Sequence, residues 1–341
     1  MSTVLVTGAA GSLGQRVVAR LLARPGVEGV VTVDKVPAPA RREEVESHTL
    51  DLSTEETPDE LAALAKQVDA FLHLAWDPDG PGNLRALRHV LGAAEAVEPG
   101  QLVHLSSATV YGAWPDNPVP LTEGAGLRPN PELAYAVEKA AAEVSVGRWA
   151  HDHPKVAVAV LRPACTVGPR SHPLYRALAA GNRPPLGSEG RFVQYLHIDD
   201  LAEAVVHTWE HGLSGTYNVA PDNGVPEEVA SALEGGPARL PLPHPLRSAL
   251  SAWRWDLWRK GAPPGARPYG AHSWVVAGDR LRASGWRPQY SSEEALVVSD
   301  ERLHWDELPP GWRRSVSLAG ALSAVVAGVG GALWRRRVSS R

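Results

Sequence analysis

Five short runs rich in apolar and β-branched residues punctuate the first half of the chain: "TVLVTG", "GVVTVDK", "VDAFLHLAW", "QLVHLSS" and "VAVAVLRP". Between most of them lie segments with helical periodicity, such as "LGQRVVARLLARPG", "TPDELAALAKQV" and "NLRALRHVLGAAEAVEPG". Short buried strands alternating with helices require a parallel sheet covered on both faces. Crossovers in such sheets are almost always right-handed, so the expected fold is α/β, a Rossmann-type doubly wound parallel sheet. After about residue 165 proline and glycine become dense, and tryptophans gather at Trp253, Trp255, Trp258, Trp274 and Trp286. That texture predicts a smaller C-terminal substrate lobe of loops and short helices. Within it, "HIDDLAEAVVHTWEHG" reads as a helix, with acids in its first turn and Gly212 at its end.

A length of 341 residues suits one large α/β domain with an appended lobe, or two domains. The formal net charge of -4 gives no reason to expect a nucleic-acid partner. Cys165 is the sole cysteine, so neither an intramolecular disulfide nor a cysteine-based metal cluster can form, and a reducing, cytoplasmic compartment is expected. The N-terminus enters a strand pattern directly, without a secretory leader. Ser315 to Trp334 carries no charge and has arginines on both sides. Two readings of that tail stand open. It is a membrane-associating segment, or a small-residue helix docked on the protein or on a second copy.

The first expected strand ends in "TGAAGSLG", which places Gly8, Gly11 and Gly14 at a strand-to-helix junction. Glycines there permit a tight turn, a close backbone approach to a ligand, and close packing of helix on strand. The free N–H groups of the helix start, around Ser12 and Leu13, then face a pyrophosphate. Asp34 ends the second strand about twenty residues later, where a carboxylate takes the ribose hydroxyls of an adenosine. Such a carboxylate accepts bonds from a free 2′-hydroxyl and repels a 2′-phosphate, which favours NAD over NADP. Lys35, directly beside it, pulls the other way.

"YAVEK" sets Tyr135 and Lys139 at i and i+4, on one helix face. A phenol titrates near 10 in water, too high for a base at neutral pH. A neighbouring ammonium favours the phenolate and lowers that value. "LSSATVYG" follows a strand and supplies Ser106, Ser107, Thr109 and Tyr111, hydroxyls able to hold a substrate oxygen. The histidines show no metal-site spacing. His151 and His153 read as loop residues, and His197 as packing at a strand end.

Taken in order, "TGAAGSLG", Asp34, "DL" at Asp51-Leu52, "HLAW", Asn83, "SSATVYG", "YAVEK", "LRPACTVGP" and "HIDDLAEAV" resemble the extended short-chain dehydrogenases. More narrowly, they are similar to the NAD-dependent epimerase/dehydratase branch, from Val4 to about Leu296. The resemblance implies that Gly8, Gly11 and Gly14 form the phosphate turn and that Asp34 binds the ribose. It also implies that Asp51 and Leu52 flank adenine, and that Leu74, Ala75, Trp76 and Pro163 line the cofactor. Ser107 takes the place of the family's catalytic serine and Tyr135 that of its acid–base residue. Lys139 would bind the nicotinamide ribose and lower the Tyr135 pKa. The chain departs from the sugar-nucleotide enzymes at three places. Cys165 stands where they usually have asparagine, Val193 where they often have arginine (with Arg191 two residues away), and "HLAW" replaces their usual "HAA", with Trp76 occupying space near the site.

The implied activity is that of an NAD-dependent epimerase, dehydratase or dehydrogenase acting on a hydroxyl of a sugar nucleotide or related sugar. The alternatives are a dehydrogenase of a sterol or lipid-linked alcohol, and a non-catalytic NAD-binding protein. The expected division is an NAD-binding Rossmann domain at 1–165, a mixed region with the substrate lobe and returning Rossmann elements at 166–300, and a tail at 301–341. A small-molecule substrate is the expected partner, with a homodimer by analogy and a membrane contact if the tail inserts.

Overall fold

Strand β1 (Ser2–Thr7) runs into the glycine turn and then into helix α1 (Ser12–Leu21). Next come β2 (Val27–Asp34), β3 (Val45–Thr49), α2 (Thr57–Ala65), β4 (Ala70–His73), α3 (Asn83–Val97) and β5 (Gln101–Leu105). A 3-10 turn (Ala108–Tyr111) precedes α4 (Ala134–Asp152) and β6 (Ala157–Pro163). The chain continues through β7 (Cys165–Val167), β8 (Phe192–Val193), β9 (Tyr195–His197), α5 (Ile198–Glu210) and β10 (Gly215–Val219). This computed structural model describes residues 2–37, 44–55, 57–78, 80–169, 174, 178, 191–222, 224–233 and 264–298.

The central sheet has seven strands in the order β10-β6-β5-β4-β1-β2-β3, and every pairing is parallel. That is the doubly wound order, with the chain reversing direction across the sheet between β1 and β4. Alternation along each strand sorts the core into two layers. Val4, Val6, Leu72, Val103 and Leu161 face the layer holding Val17 and Leu21 of α1 and Val205 of α5. Leu5, Val33, Phe71, Leu102 and Val160 face Leu61, Leu87, Val90 and Val146 of α2, α3 and α4. Each such side chain contributes about 1.5–3 kcal/mol on burial. The five expected runs become β1, β2, β4, β5 and β6. The two edge strands, "VESHT" and "GTYNV", carry too few consecutive apolar residues to stand out in sequence.

The "HIDDLAEAV" segment forms α5, which packs on α1, and β10 then extends the sheet beside β6. Arg16 and Arg20 of α1, with Arg24 just past its end, meet three acids of α5. Arg16 and Arg20 both reach Asp199, at 3.0 and 3.1 Å. Arg20 and Arg24 share Glu203, and Arg24 also pairs with Glu210 at 3.1 Å. Trp274 and Trp286 are buried in the core, whereas Trp253, Trp255 and Trp258 fall outside the described residues. So does the tail from 301 to 341, including Ser315–Trp334. Among the described residues no helix is long and apolar enough to cross a membrane.

His151 is helical, where the sequence predicts a loop, while His153 lies just past the helix end, before Pro154. His151 lies in the last turn of α4 and His153 caps it, stacked on Trp149 with ring centroids 4.2 Å apart. No group of three or more potential metal ligands occurs among the described residues.

Two glycines on helices make opposite demands. A Cβ on Gly14 would lie 2.1 Å from the Gly8 carbonyl oxygen, whereas one on Gly92, exposed in α3, meets nothing within 4 Å. Gly14→Ala should therefore cost about 1–3 kcal/mol of stability through overpacking. Gly92→Ala should add about 0.5–1 kcal/mol through helix propensity. Urea denaturation of both variants checks the sign; a stabilised Gly14→Ala protein would contradict the packing described.

Candidate active site

A cavity of about 560 Å³ opens over the C-terminal ends of the sheet strands. The glycine turn forms its floor. Gly8 has φ +74°, and a Cβ there would come 2.7 Å from the Ala75 amide nitrogen, so the first turn must pass bare against the chain leaving β4. Gly11 caps α1 without any side-chain acceptor. The first N–H groups of the helix, at Ser12 and Leu13 on the cavity wall, are thereby left for an anionic group, and this opening fits a pyrophosphate. Asp34 stands at the end of β2, where its Oδ2 accepts from the Ala10 amide at 2.9 Å and its Oδ1 from Val36 at 3.2 Å. It orders the turn and keeps lone pairs for a ligand's hydroxyls.

Asp51 and Leu52 line the same cavity from the chain after β3. Hydrogen bonds from the Ser53 hydroxyl and amide hold the Asp51 carboxyl below its ordinary pKa. Leu74, Ala75 and Trp76 line it from the end of β4, and Pro163 from the end of β6. Ser107, Tyr135 and Lys139 complete the wall, so the residues that the resemblance assigns to cofactor and catalysis share one cavity.

Tyr135 opens α4 and is 4% exposed. One turn on, Lys139 is 2% exposed, and its Nζ donates to the Leu105 carbonyl at 2.6 Å. The Trp76 ring covers that ammonium at 3.7 Å from ring centroid to Nζ, a cation–π contact. Burial pushes the Lys139 pKa well below its ordinary value, while Glu143 and Glu138 oppose the shift. The Ser107 Oγ accepts from the Thr109 amide at 3.2 Å and the Thr109 hydroxyl at 2.9 Å. Both bonds use its lone pairs, which leaves the O–H proton as its remaining donor.

Beneath this wall runs a buried polar seam that the sequence did not reveal. Glu143, one turn beyond Lys139 on α4, accepts two bonds from Arg162 Nε at 3.0 Å and one from Nη2 at 2.5 Å. The Ser106 hydroxyl also donates to Glu143. Arg162 Nη1 donates to the Tyr111 hydroxyl at 2.7 Å, which in turn donates to Asn218 at 2.8 Å. The hydroxyls of Ser106, which also borders the cavity, and of Tyr111 are thus engaged by buried partners. Their partners lie 37 to 107 residues away in sequence, and no local motif announces such pairings. Arg191 is likewise structural. Its guanidinium is buried and donates to the carbonyls of Gly270 and Tyr269 at 2.7 and 2.9 Å. His197 caps α5 through Nδ1, and its ring lies tilted against Tyr290 with centroids 4.3 Å apart. Cys165 is buried, and its thiol is pushed up to about 12.

Two imidazoles lie under Lys139. His73 and His104, opposite each other on β4 and β5, are fully buried and stacked with centroids 5.5 Å apart. Burial, with the Lys139 charge adding, lowers His73 to about 3 and puts His104 well below its ordinary value. Both are neutral in the folded protein, while in the unfolded chain they titrate near 6.5. Below pH 6.5 the unfolded chain therefore binds more protons, and stability falls with pH by about 1.4 kcal/mol per unit per histidine. His104→Leu should remove one proton from that slope between pH 6.5 and 5, as read from urea denaturation across the range. An unchanged slope would show that His104 is not held neutral.

The profile of the NAD dependent epimerase/dehydratase family matches residues 4–220. An uncharacterized protein of Mycobacterium tuberculosis, Rv0501, is 27% identical over 321 residues, covering 86% of this chain and 82% of that one. Among solved structures, the Thermus thermophilus UDP-glucose 4-epimerase in complex with NAD superposes with a TM-score of 0.64 at 23% identity. The match covers 87% of this chain and 97% of that one. The dTDP-glucose 4,6-dehydratase of Streptomyces venezuelae, with NAD and TYD bound, gives 0.64 at 24% identity over 91% and 98% of the two chains. At those identities the structures share the fold, while the family match spans most of the sheet and the whole glycine-turn half of the cavity. The chain belongs to the NAD dependent epimerase/dehydratase family.

Proposed function

We propose that the chain is an NAD-dependent enzyme that oxidises a hydroxyl of a sugar nucleotide or related sugar at a site made by Ser107, Tyr135 and Lys139. The observation that carries this reading is the single cavity in which those three residues share walls with the glycine turn and Asp34. NAD, when bound, supplies a hydride acceptor. The start of α1 takes its pyrophosphate, Asp34 the adenosine ribose hydroxyls, Asp51 and Leu52 the adenine edge, and Leu74, Ala75, Trp76 and Pro163 the remaining length.

Tyr135 Oη takes the proton of the substrate hydroxyl, and Ser107 donates to the same oxygen. Lys139 holds the nicotinamide ribose, and its charge favours the phenolate of Tyr135. Its Nζ is oriented by the Leu105 carbonyl. Charge developing on the substrate oxygen is met by groups already fixed in place, which is where such sites gain most of their rate.

A second reading has its own support, an alcohol of lipid or sterol type. Trp274, Leu178, Ala164 and Cys165 give the same cavity buried apolar lining. Among the described residues that line the cavity, the Lys and Arg side chains are Lys35 and Lys139 alone, and no arginine is there to meet a diphosphate. Thermal melts separate the two substrates. A marked upward shift with millimolar UDP or dTDP supports the sugar nucleotide, and none with the diphosphates but a shift with an apolar alcohol supports the second.

Tyr135→Phe removes only the phenolic oxygen. Activity should fall by orders of magnitude while NAD affinity stays nearly unchanged, whereas Lys139→Ala should lower both. Turnover is followed by reduced-nicotinamide absorbance together with product analysis, because an epimerase regenerates its cofactor. Full turnover by the Tyr135→Phe protein would assign the base elsewhere.

A further inference from the structure

Lys35 follows Asp34 at the end of β2, where a basic side chain has the reach to pair with a phosphate on the adenosine 2′ position. In the structure its Nζ is 2.5 Å from Asp77 Oδ2. Because β1 lies between β2 and β4 in the sheet, this ion pair crosses the end of β1, above the glycine turn. Both residues line the cavity. The backbone of Asp77 is itself fastened. Its amide donates to Asn83 Oδ1 at 2.9 Å, and its carbonyl accepts from Asn83 Nδ2 at 2.8 Å. The same Asn83 amide group reaches Glu138 on α4 at 3.0 Å. The hydrogen bond that Lys35 donates to Asp77 is the main cause raising the Lys35 pKa, and the charges of Asp51 and Asp34 add to it. Three carboxylates thus surround one ammonium at this end of the cleft.

We infer that Asp77 is a cofactor-selectivity residue, which holds the Lys35 ammonium in an ion pair and so withholds it from an adenosine 2′-phosphate. The inference rests on the reading above that the adenosine lies against Asp34. With Asp77 present, a 2′-phosphate meets Asp34 and Asp51 while its natural counter-charge is already paired. With Asp77 neutral, Lys35 is released beside the 2′ position. The pair is partly exposed, with side-chain accessibilities of 58% and 38%, so it adds little to folding. Its effect belongs to the ligand.

Calorimetric titration of the full chain with NAD and with NADP tests this on wild type, Asp77→Asn, Lys35→Met and the double variant. Asp77→Asn should raise the affinity for NADP relative to NAD by roughly fivefold to tenfold, the size of one close charge contact at a partly exposed site. Lys35→Met in the same background should abolish the gain, and high salt should shrink it. A ratio unchanged in Asp77→Asn, with NAD still bound, overturns this inference alone. A gain that survives Lys35→Met assigns the effect to the Asp77 charge itself and also overturns it. No NAD binding by the wild type overturns both this inference and the function on which it rests.

Discussion

The Cα of Gly14 faces the carbonyl of Gly8 so closely that no side chain fits between them, and Gly8 in turn lies bare against Ala75. Through these contacts the end of β1, the start of α1 and the exit of β4 meet without intervening side chains. Everything above them is placed by that closeness. The helix start reaches the cavity because nothing holds it off the strand. Asp34 reaches the Ala10 amide because the turn is tight enough to present it. The reversal of strand order between β1 and β4 opens the crevice, and the glycines decide how deep it is.

Helix α4 joins this crevice to the interior. Tyr135, Lys139 and Glu143 are spaced one turn apart on one face; the first two line the cavity and the third closes a bidentate pair with Arg162. Removing one member of such a buried pair leaves an uncompensated charge and costs about 3–5 kcal/mol. The pair also fixes the roll of α4, because Glu143 can meet Arg162 and Ser106 together in one orientation. The phenol and the ammonium are therefore aimed by a contact that touches neither of them. The Leu105 carbonyl and the Trp76 ring then hold the ammonium from two sides.

The parts legible in sequence are those whose physics is local. Apolar runs mark the inner strands, glycines at a strand-to-helix junction mark the turn, and an i,i+4 pair shares a helix face by necessity. The edge strands β3 and β10 escape such reading because strands with an open side need no continuous apolar run. Arg162 and Glu143 escape it because each resembles an ordinary surface residue until the fold brings them together. His104 reads as one polar residue in an apolar strand, and only pairing with β4 sets it against His73. The fate of Lys35 is a case of the same kind. Its neighbour in sequence suggests a role at the adenosine, while its neighbour in space, Asp77, occupies its charge.

The seam between α1 and α5 has a property that its individual ion pairs lack. Asp199 is shared by Arg16 and Arg20, and Glu203 by Arg20 and Arg24. Loss of the central arginine still leaves each acid one partner, and loss of Arg16 still leaves Asp199 on Arg20. The joint is redundant, so it degrades by steps and does not fail at a single position. That tolerance falls where the returning half of the chain is fastened to the helix that begins at the glycine turn, and it leaves the residues along the seam freer to vary than those of the turn.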